Sequence, residues 1–354
     1  MNRAHPSLSS AWRRELAHAA AYTGLKYPDP AGLPTLRGAL CDYLARRRGV
    51  LAEPDDVLIV SGSQQAFALS ADVLLDEGDP VVVEEPGYFG ARWVLRARGA
   101  NQIPVPVDDE GLICEALPHA APKLVCVTPS HQFPGGSVLS LPRRRELLSY
   151  AERHGCWILE DDYDGEFRYD VAPLAALRSL DRSDRVLYVG TFSKVLFPAL
   201  RLGYMIVPRA LRADFIASKR LTDLGCSAIE QAALARFIRS GRFERHLRLA
   251  AKSLAERREE LLCGLRRHVG DRIEIAGACA GTHVVGWMRD FSRAQLATLI
   301  AIARERGLGL HSMEPHYAVP PSRHGLLLGY GGLSIAEIRV ATRVFAACLR
   351  ELGL

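Results

Sequence analysis

Short apolar runs alternate with helix-like segments along the first two thirds of this 354-residue chain, and this alternation constrains its fold most. Residues 80–84, 123–127 and 156–160 are apolar runs bounded by polar or turn residues. Runs of this kind are typical of strands that are buried on both faces. The segments 87–98 and 141–154 between them have helical patterns. The alternation predicts an α/β fold, with a three-layer αβα large domain built on a mainly parallel sheet.

The pattern changes after about residue 208, where helix-like segments follow one another and a smaller α+β portion closes the chain. In that portion we predict short strands at 273–275, 282–287 and 326–330, and helices at 243–268, 292–306 and 334–351. The chain is therefore predicted to have three parts: an N-terminal arm with one short helix at 1–26, a large domain at 27–240 and a small C-terminal domain at 241–354.

The charge balance indicates no strongly charged partner. The net charge of +5 comes from 45 basic and 40 acidic residues. Arginine runs at 46–48 and 143–145 lie on predicted amphipathic helices and are expected to be solvated, so no nucleic acid is expected to bind this chain alone. Lys219, on another predicted helix, is also expected to be solvated.

The cysteines and the apolar segments bear on the compartment. Eight cysteines without metal-binding spacing indicate free thiols in a reducing compartment, with no metal site. No stretch approaches the length of a membrane span, so no membrane partner is expected. We therefore expect a cytoplasmic protein.

Lys194 lies in the segment 190–204, which combines an amine with groups that bind anions. Two hydroxyl residues, Thr191 and Ser193, precede it, and Arg201 follows seven residues later. A lysine amine condenses with a carbonyl to form a Schiff base, while hydroxyls and an arginine can hold a phosphate. The segment fits a cofactor that carries both an aldehyde and a phosphate. The alternative is an ordinary loop lysine between two strands.

Three further segments follow predicted strands, and ligands of parallel α/β sheets bind beyond the carboxyl ends of the strands. Residues 61–65 form a Gly-Ser turn before a helix, which suits either a phosphate or a simple helix cap. Tyr88 suits either the face of a planar cofactor or the core. His131 and Gln132 lie in a loop rich in proline and glycine, where they are either donors to a ring oxygen or plain loop residues.

Several carboxylates follow a fourth strand, in residues 160–166. Carboxylates at the end of a buried strand are electrostatically costly unless a positive group is nearby. A protonated pyridine nitrogen is one such group, and a carboxylate beside it makes the ring a better electron acceptor. Metal binding is the competing interpretation, although no second cluster of carboxylates or histidines accompanies this one.

Taken in order, these segments resemble the fold-type I pyridoxal 5'-phosphate (PLP) enzymes of the aspartate aminotransferase superfamily. They are more similar still to the aminotransferase-like domain of MocR/GabR-type bacterial regulators. The resemblance covers the chain from about residue 22 to its end. Six ordered motifs carry it, at residues 27–37, 61–65, 85–88, 128–134, 160–164 and 191–194.

The resemblance implies a role for each matching residue. Lys194 would bond to the cofactor and shuttle protons, Asp161 would pair with the pyridine nitrogen, and Tyr163 would reach the phenolic oxygen. Tyr88 would stack on the ring, and Tyr27 would reach the phosphate of the neighbouring subunit in a homodimer with shared sites. The phosphate would be held by the turn residues Gly62, Ser63 and Gln64, and by Thr191, Ser193 and Arg201.

Three departures from the aminotransferase pattern stand out. Phe133 stands where many aminotransferases have the asparagine that contacts the phenolic oxygen, and His131 or Gln132 is expected to substitute. Residues 326–328 are leucines where an arginine usually binds the substrate carboxylate, and an apolar side chain makes no such bond. Arg323 is nearby and is expected to be a surface residue. The winged helix-turn-helix of MocR-type regulators is expected to be missing.

The resemblance implies a PLP-dependent enzyme that acts on an amino acid or another primary amine. Aminotransfer is the expected reaction, and the missing arginine leaves elimination, replacement or condensation open. The alternative is an effector-sensing domain of a MocR-type regulator without its DNA-binding domain. In that case the ligand would bind to the cofactor with little turnover and shift a conformational equilibrium.

Overall fold

The structure, a computed structural model, describes residues 6–24, 26–169 and 175–353. Its strands are β1 (Val57–Val60), β2 (Pro80–Glu85), β3 (Asn101–Asp108), β4 (Gly111–Leu112), β5 (Leu124–Val127), β6 (Trp157–Asp162), β7 (Val186–Thr191), β8 (Gly203–Ile206), β9 (Ile273–Ala276), β10 (His283–Met288), β11 (His311–Ser312) and β12 (Gly325–Gly329). Its α-helices are α1 (Pro6–Tyr22), α2 (Pro34–Arg48), α3 (Ser63–Leu74), α4 (Phe89–Ala97), α5 (Leu141–His154), α6 (Leu177–Leu180), α7 (Phe192–Val195), α8 (Arg212–Asp223), α9 (Ala228–Arg239), α10 (Arg242–His268), α11 (Arg293–Glu305) and α12 (Ile335–Glu351).

Eight strands form the larger sheet, in the order β1-β8-β7-β6-β5-β2-β3-β4. The central strands from β7 through β6, β5 and β2 to β3 are parallel. Strand β8 runs antiparallel to both of its neighbours, and β4 forms a hairpin with β3. The predicted α/β class and its mainly parallel sheet are confirmed.

Helices cover both faces of this sheet, because its strands are apolar on both sides. Along β1, Leu58 and Val60 pack with α3, α4 and α8, whereas Val57 and Ile59 pack with α2 and α9 on the opposite face. Helix α5 covers the second face further along, against strands β5 and β6. The resulting three layers bring the carboxyl ends of the parallel strands to one edge.

The C-terminal portion contains a separate antiparallel sheet of four strands, in the order β11-β12-β10-β9. Helices α10, α11 and α12 pack around it, with Leu326 and Val284 in a shared core. In the register of β10 and β12, His283 pairs with Gly329 and Val285 pairs with Leu327. Directly paired residues point to the same face of a sheet, so Leu327 shares a face with His283.

The helix of the N-terminal arm is longer than the predicted short helix. Helix α1 is 17 residues long and packs along α9. The Trp12 ring lies 5.7 Å from that of Phe197 and 6.2 Å from that of Phe237, edge-on to both. Burial of Trp12 fixes the arm against the segment that follows Lys194. Within the described residues, no helix is long and apolar enough to cross a membrane.

Candidate active site

A cavity of about 220 Å³ opens beyond the carboxyl ends of β1, β2, β5, β6 and β7. This edge is where α/β sheets bind their ligands. Ten of the twelve residues predicted to bind the cofactor line the cavity, and Phe133 joins them. The lining consists of Gly62, Ser63, Gln64, Tyr88, Phe133, Asp161, Tyr163, Thr191, Ser193, Lys194 and Arg201.

Lys194 is presented to the cavity by a single helical turn after β7. Thr191 ends the strand, and its Oγ1 accepts a hydrogen bond of 3.2 Å from the backbone N–H of Ser193. This cap starts the short helix α7, which carries Lys194. Phe192 and Val195 on the same turn are buried in the core. The turn is therefore anchored on its buried side while its lysine faces the cavity.

The turn before α3 faces the lysine segment across the cavity. Gly62 has a φ of 120°, a conformation that residues with a Cβ rarely adopt. A Cβ at Gly62 would lie 3.4 Å from Arg201 Nη2, an ordinary contact distance, so the backbone conformation favours glycine here and Arg201 lies directly beside the turn. Arg201 itself has a left-handed backbone, with φ of 51°. The first N–H groups of a helix have no intrahelical acceptor, so this turn and Arg201 form a corner that suits an anion.

Asp161 is the acidic group of the cavity. It is 4% exposed, and its Oδ1 has no hydrogen-bond partner among the described residues. Burial raises the pKa of Asp161 to about 8, and the neighbouring Asp162, Asp164 and Glu84 add to the rise. Lys194 acts in the opposite direction on this pKa. A buried carboxylate with an unused oxygen is suited to a cationic N–H partner.

Tyr163 and His131 are joined behind the cavity. The Tyr163 hydroxyl lies 2.9 Å from His131 Nδ1, which also lies 3.0 Å from Asp164 Oδ2. His131 is buried and does not line the cavity, although it was predicted to bind the cofactor. Its position instead holds the Tyr163 hydroxyl. Gly281 of the small domain packs so closely that a Cβ there would lie 2.3 Å from His131 Cε1.

Tyr88 and Phe133 form the aromatic part of the cavity. The Tyr88 hydroxyl accepts a hydrogen bond of 2.8 Å from Gln64 Nε2, which ties it to the turn before α3. The Phe133 ring lies edge-on to those of Tyr88 and Tyr163, with centroids 5.6 Å away in both cases. It also touches His283 and His316 of the small domain. The sequence signal for Phe133 was its place at a position that is often asparagine.

Three further candidate residues lie outside the cavity, as His131 does. Tyr27 is 84% exposed on its own chain. Gln132 is buried, and its amide is occupied by backbone groups, including Pro86 O at 2.7 Å, so it does not reach a ring oxygen in this arrangement. Arg323 is on the surface, where it pairs with Glu274 at 2.8 Å and stacks on Trp287.

The prediction that Lys219 is solvated is wrong. Its side chain is fully buried in α8, and its Nζ contacts Gln65, Asp223 and Cys226. The helical pattern of α8 places Lys219 on the side that faces α3. Its charge is paired with Asp223, one turn further along α8, whereas its contact with Gln65 joins residues that are far apart in the sequence.

A buried ion pair supports the site from the opposite face of the sheet. Successive residues of a strand point to opposite faces, so Asp162 faces away from Asp161. Asp162 Oδ2 accepts hydrogen bonds from Arg48 Nε at 2.7 Å and from the Tyr188 hydroxyl at 2.5 Å. Arg48 also donates to Ser130 Oγ at 2.8 Å, which connects the pair to the loop after β5. Among the described residues, no group of three or more His, Cys, Asp or Glu side chains could hold a metal ion.

The residues present match the chemical groups of PLP. The unused Asp161 oxygen suits a protonated ring nitrogen, and the glycine turn with Arg201 suits a phosphate. Lys194 is the amine on the same cavity. The fold and this cavity together define an aspartate aminotransferase-like protein.

The chain belongs to the aminotransferase class I and II family, whose model matches residues 2–308. It is 38% identical over 334 residues to a probable rhizopine catabolism regulatory protein, MocR, from Rhizobium meliloti, which covers 93% of this chain and 67% of that protein.

Solved structures of aminotransferases also resemble it closely. Kynurenine aminotransferase from Pyrococcus horikoshii superposes with a TM-score of 0.90 at 27% identity, covering 99% of this chain and 90% of that one. The α-aminoadipate aminotransferase LysN from Thermus thermophilus gives a TM-score of 0.89 at 28% identity, covering 100% and 92%.

Proposed function

We propose that the chain binds PLP and uses it to react with the amino group of an amino acid or another primary amine. One observation carries the proposal: the amine of Lys194, the unpaired carboxylate oxygen of Asp161 and the Gly62–Arg201 corner line a single cavity. When bound, this cofactor supplies an aldehyde for Schiff-base formation and a ring that accepts electrons from the substrate carbon.

The chain's own residues then have distinct tasks. Lys194 would hold the cofactor through its amine and, once that amine is free, would move a proton at the substrate carbon as a general base. Asp161 keeps the ring nitrogen protonated, and the Tyr163 hydroxyl, held by His131, is a donor to the phenolic oxygen. Tyr88 covers the ring. The turn at Gly62, Ser63 and Gln64, with Thr191, Ser193 and Arg201, holds the phosphate.

Aminotransfer is the reaction class we propose first. Its support is the likeness to LysN, whose structure contains N-(5'-phosphopyridoxyl)-L-leucine, and to kynurenine aminotransferase. The wild-type protein with PLP should show a visible absorption band from the lysine-bound cofactor. Lys194→Ala should abolish this band, whereas Lys252→Ala, at an exposed lysine of α10, should retain it. A band that survives in Lys194→Ala would show that this lysine does not hold the cofactor.

Ligand sensing is the second candidate. Its support is the 38% identity to MocR and the 35% identity to YhdI of Bacillus subtilis, an uncharacterised transcriptional regulator. A panel of amino acids and amines, incubated with the PLP-loaded protein and with an excess of a 2-oxo acid as amino acceptor, separates the two candidates. Repeated conversion of an amine to its oxo product supports the enzyme. A spectral change that stops at one equivalent of ligand supports the sensor.

We also propose a homodimer with shared sites. Tyr27 is 84% exposed, and Pro28 and Pro30 beside it pack against Gly225, next to the exposed Leu224. An exposed aromatic residue close to an apolar helix end suits burial against a second copy. In this arrangement residues 27–240 form the cofactor-binding domain and residues 241–354 form the small domain. The molar mass in solution tests the dimer, and mixing Tyr27→Ala subunits with Lys194→Ala subunits tests whether the sites are shared.

A further inference from the structure

Lys219 is a buried amine that does not line the cavity. Its side chain has no exposed surface, and its Nζ is 2.7 Å from Gln65 Oε1, 2.6 Å from Asp223 Oδ2 and 3.4 Å from Cys226 Sγ. Lysine is among the residues least often fully buried, because removing an ammonium from water is costly without partners. This costly group lies in α8, which packs against α3, the helix that follows the Gly62 turn.

Gln65 connects Lys219 to the turn. Its Oε1 accepts both the Lys219 ammonium and the backbone N–H of Ser61, the latter at 2.8 Å. Its Nε2 donates to Asp223 Oδ2 at 2.8 Å. Both the oxygen and the nitrogen of the amide therefore have charged partners. The amide group cannot rotate without breaking its bond to Lys219 or to Asp223. The bond to Ser61 fixes the backbone directly before Gly62 and Ser63.

The same cluster also touches the strand that leads into the turn. Cys226 Sγ, which contacts the Lys219 amine, lies 3.8 Å from the carbonyl oxygen of Ile59 in β1. Burial favours a higher pKa for Asp223, but hydrogen bonds from Lys219 and Gln65 hold this pKa below its ordinary value. The carboxylate is therefore ionised at neutral pH and pairs with the ammonium.

We propose that Lys219 is a positioning residue that acts through Gln65 to hold the Ser61–Gly62–Ser63 backbone in its phosphate-binding shape. The inference rests on the proposed function and deepens it, because it assigns a phosphate-specific role to a residue that touches no part of the cavity. Hydrogen bonds to charged groups are stronger than neutral ones, so removal of this one loosens the amide that holds the turn.

A role in phosphate binding makes a prediction that a general role in folding does not. Pyridoxal, which lacks the phosphate, uses Lys194 and Asp161 but not the turn. Lys219→Met should weaken PLP binding to the cofactor-free protein about tenfold while changing pyridoxal binding by less than about twofold. Lys252→Met, at an exposed lysine of α10, is the matched control and should change neither affinity.

Gln65→Leu tests the route of the effect. If Lys219 acts through Gln65, the double variant Lys219→Met with Gln65→Leu should lose no more PLP affinity than the single variant that has the larger loss. Inorganic phosphate should compete with PLP in the wild-type protein and compete less well in each variant. If Lys219→Met does not fold, Gln65→Leu alone decides, through the ratio of PLP to pyridoxal affinity.

The outcomes separate the two proposals. Equal losses of PLP and pyridoxal affinity in Lys219→Met, or fully additive losses in the double variant, would overturn the positioning role and leave the proposed function standing. A wild-type protein that forms no lysine adduct with either compound would overturn both. A selective loss of PLP affinity supports the assignment.

Discussion

The large-domain wall of the cavity and the nearby face of the small-domain sheet differ in charge. The large-domain wall carries Lys194, Asp161 and Arg201, each held by strand ends or capped turns. The small-domain face meets the cavity through His283, whose ring lies 5.3 Å from that of Phe133, and it includes Leu327. Burial lowers the pKa of His283 to about 3, so this histidine is neutral at physiological pH.

The difference separates what the cofactor requires from what the substrate requires. A single cofactor with a phosphate, an aldehyde and a ring nitrogen imposes the same charges on any protein that binds it. The substrate side has no such common requirement. A neutral histidine and a leucine offer no cation to a carboxylate, so this face suits apolar groups better than an anion.

The largest expected effect comes from replacing Asp161, the acidic group of the large-domain wall. Asp161→Asn keeps the size of the side chain but cannot maintain a protonated ring nitrogen. We expect the rate of Schiff-base chemistry with an amine substrate to fall about 10³-fold, the scale associated with loss of one preorganised electrostatic group. Single-turnover spectra measure this rate. Asp109→Asn, at an exposed carboxylate in the turn between β3 and β4, is the control. An unchanged rate in Asp161→Asn would show that Asp161 does not act on the cofactor.

The next effect concerns the layer behind that wall. Arg48→Leu leaves the buried Asp162 without its ion-pair partner, which typically costs about 3–5 kcal/mol of unfolding free energy. Urea denaturation of the cofactor-free protein measures this loss. Arg48→Leu with Asp162→Asn should recover part of it, because the uncompensated charge is gone. A loss below about 1 kcal/mol in Arg48→Leu would show that the pair does not support the site.

Most of the fold could be predicted from the sequence, because strands buried on both faces leave continuous apolar runs. Strands β2, β5 and β6 begin or end within a few residues of the predicted runs. Strand β3 was missed, because its two prolines and exposed residues interrupt the pattern of a buried strand. The arm helix was predicted too short, since its burial depends on packing against α9 more than two hundred residues away.

The residues of the site also differ in how well the sequence predicts their position. Residues that follow strands at the sheet edge, such as Asp161 and Lys194, could be placed together because parallel strands end at one edge. Lys219 could not, because its partner Gln65 is 154 residues away and a lone lysine on a helix is ordinarily solvated. The burial of His131 was also unpredictable, since it depends on the approach of Gly281 from the small domain.

A smaller effect tests how much the buried Asp161 lowers the unfolding free energy of the cofactor-free protein. The folded protein binds the Asp161 proton up to about pH 8, whereas the unfolded chain releases it near pH 4, so folding takes up a proton between these values. The unfolding free energy of the wild type should therefore fall with rising pH across this window relative to Asp161→Asn. We expect Asp161→Asn to be more stable by about 2 kcal/mol at pH 8 and by little at pH 4. Urea denaturation at both values measures this difference, and a constant difference would contradict the raised pKa.

The smallest effect adds to the small-domain face the cation that it lacks. Leu327 shares a sheet face with His283, and at the matching strand aminotransferases usually carry the arginine that binds the substrate carboxylate. Leu327→Arg should increase the affinity for α-amino acids about tenfold over the corresponding amines, the scale of one charged hydrogen-bonded pair. Titration of the visible band with leucine and with 3-methylbutylamine, its counterpart without the carboxylate, measures the preference. Leu327→Met is the control, because it changes shape without adding charge. If Leu327→Arg gains no preference for leucine over 3-methylbutylamine, the substrate carboxylate is bound elsewhere and the small-domain face does not set this preference.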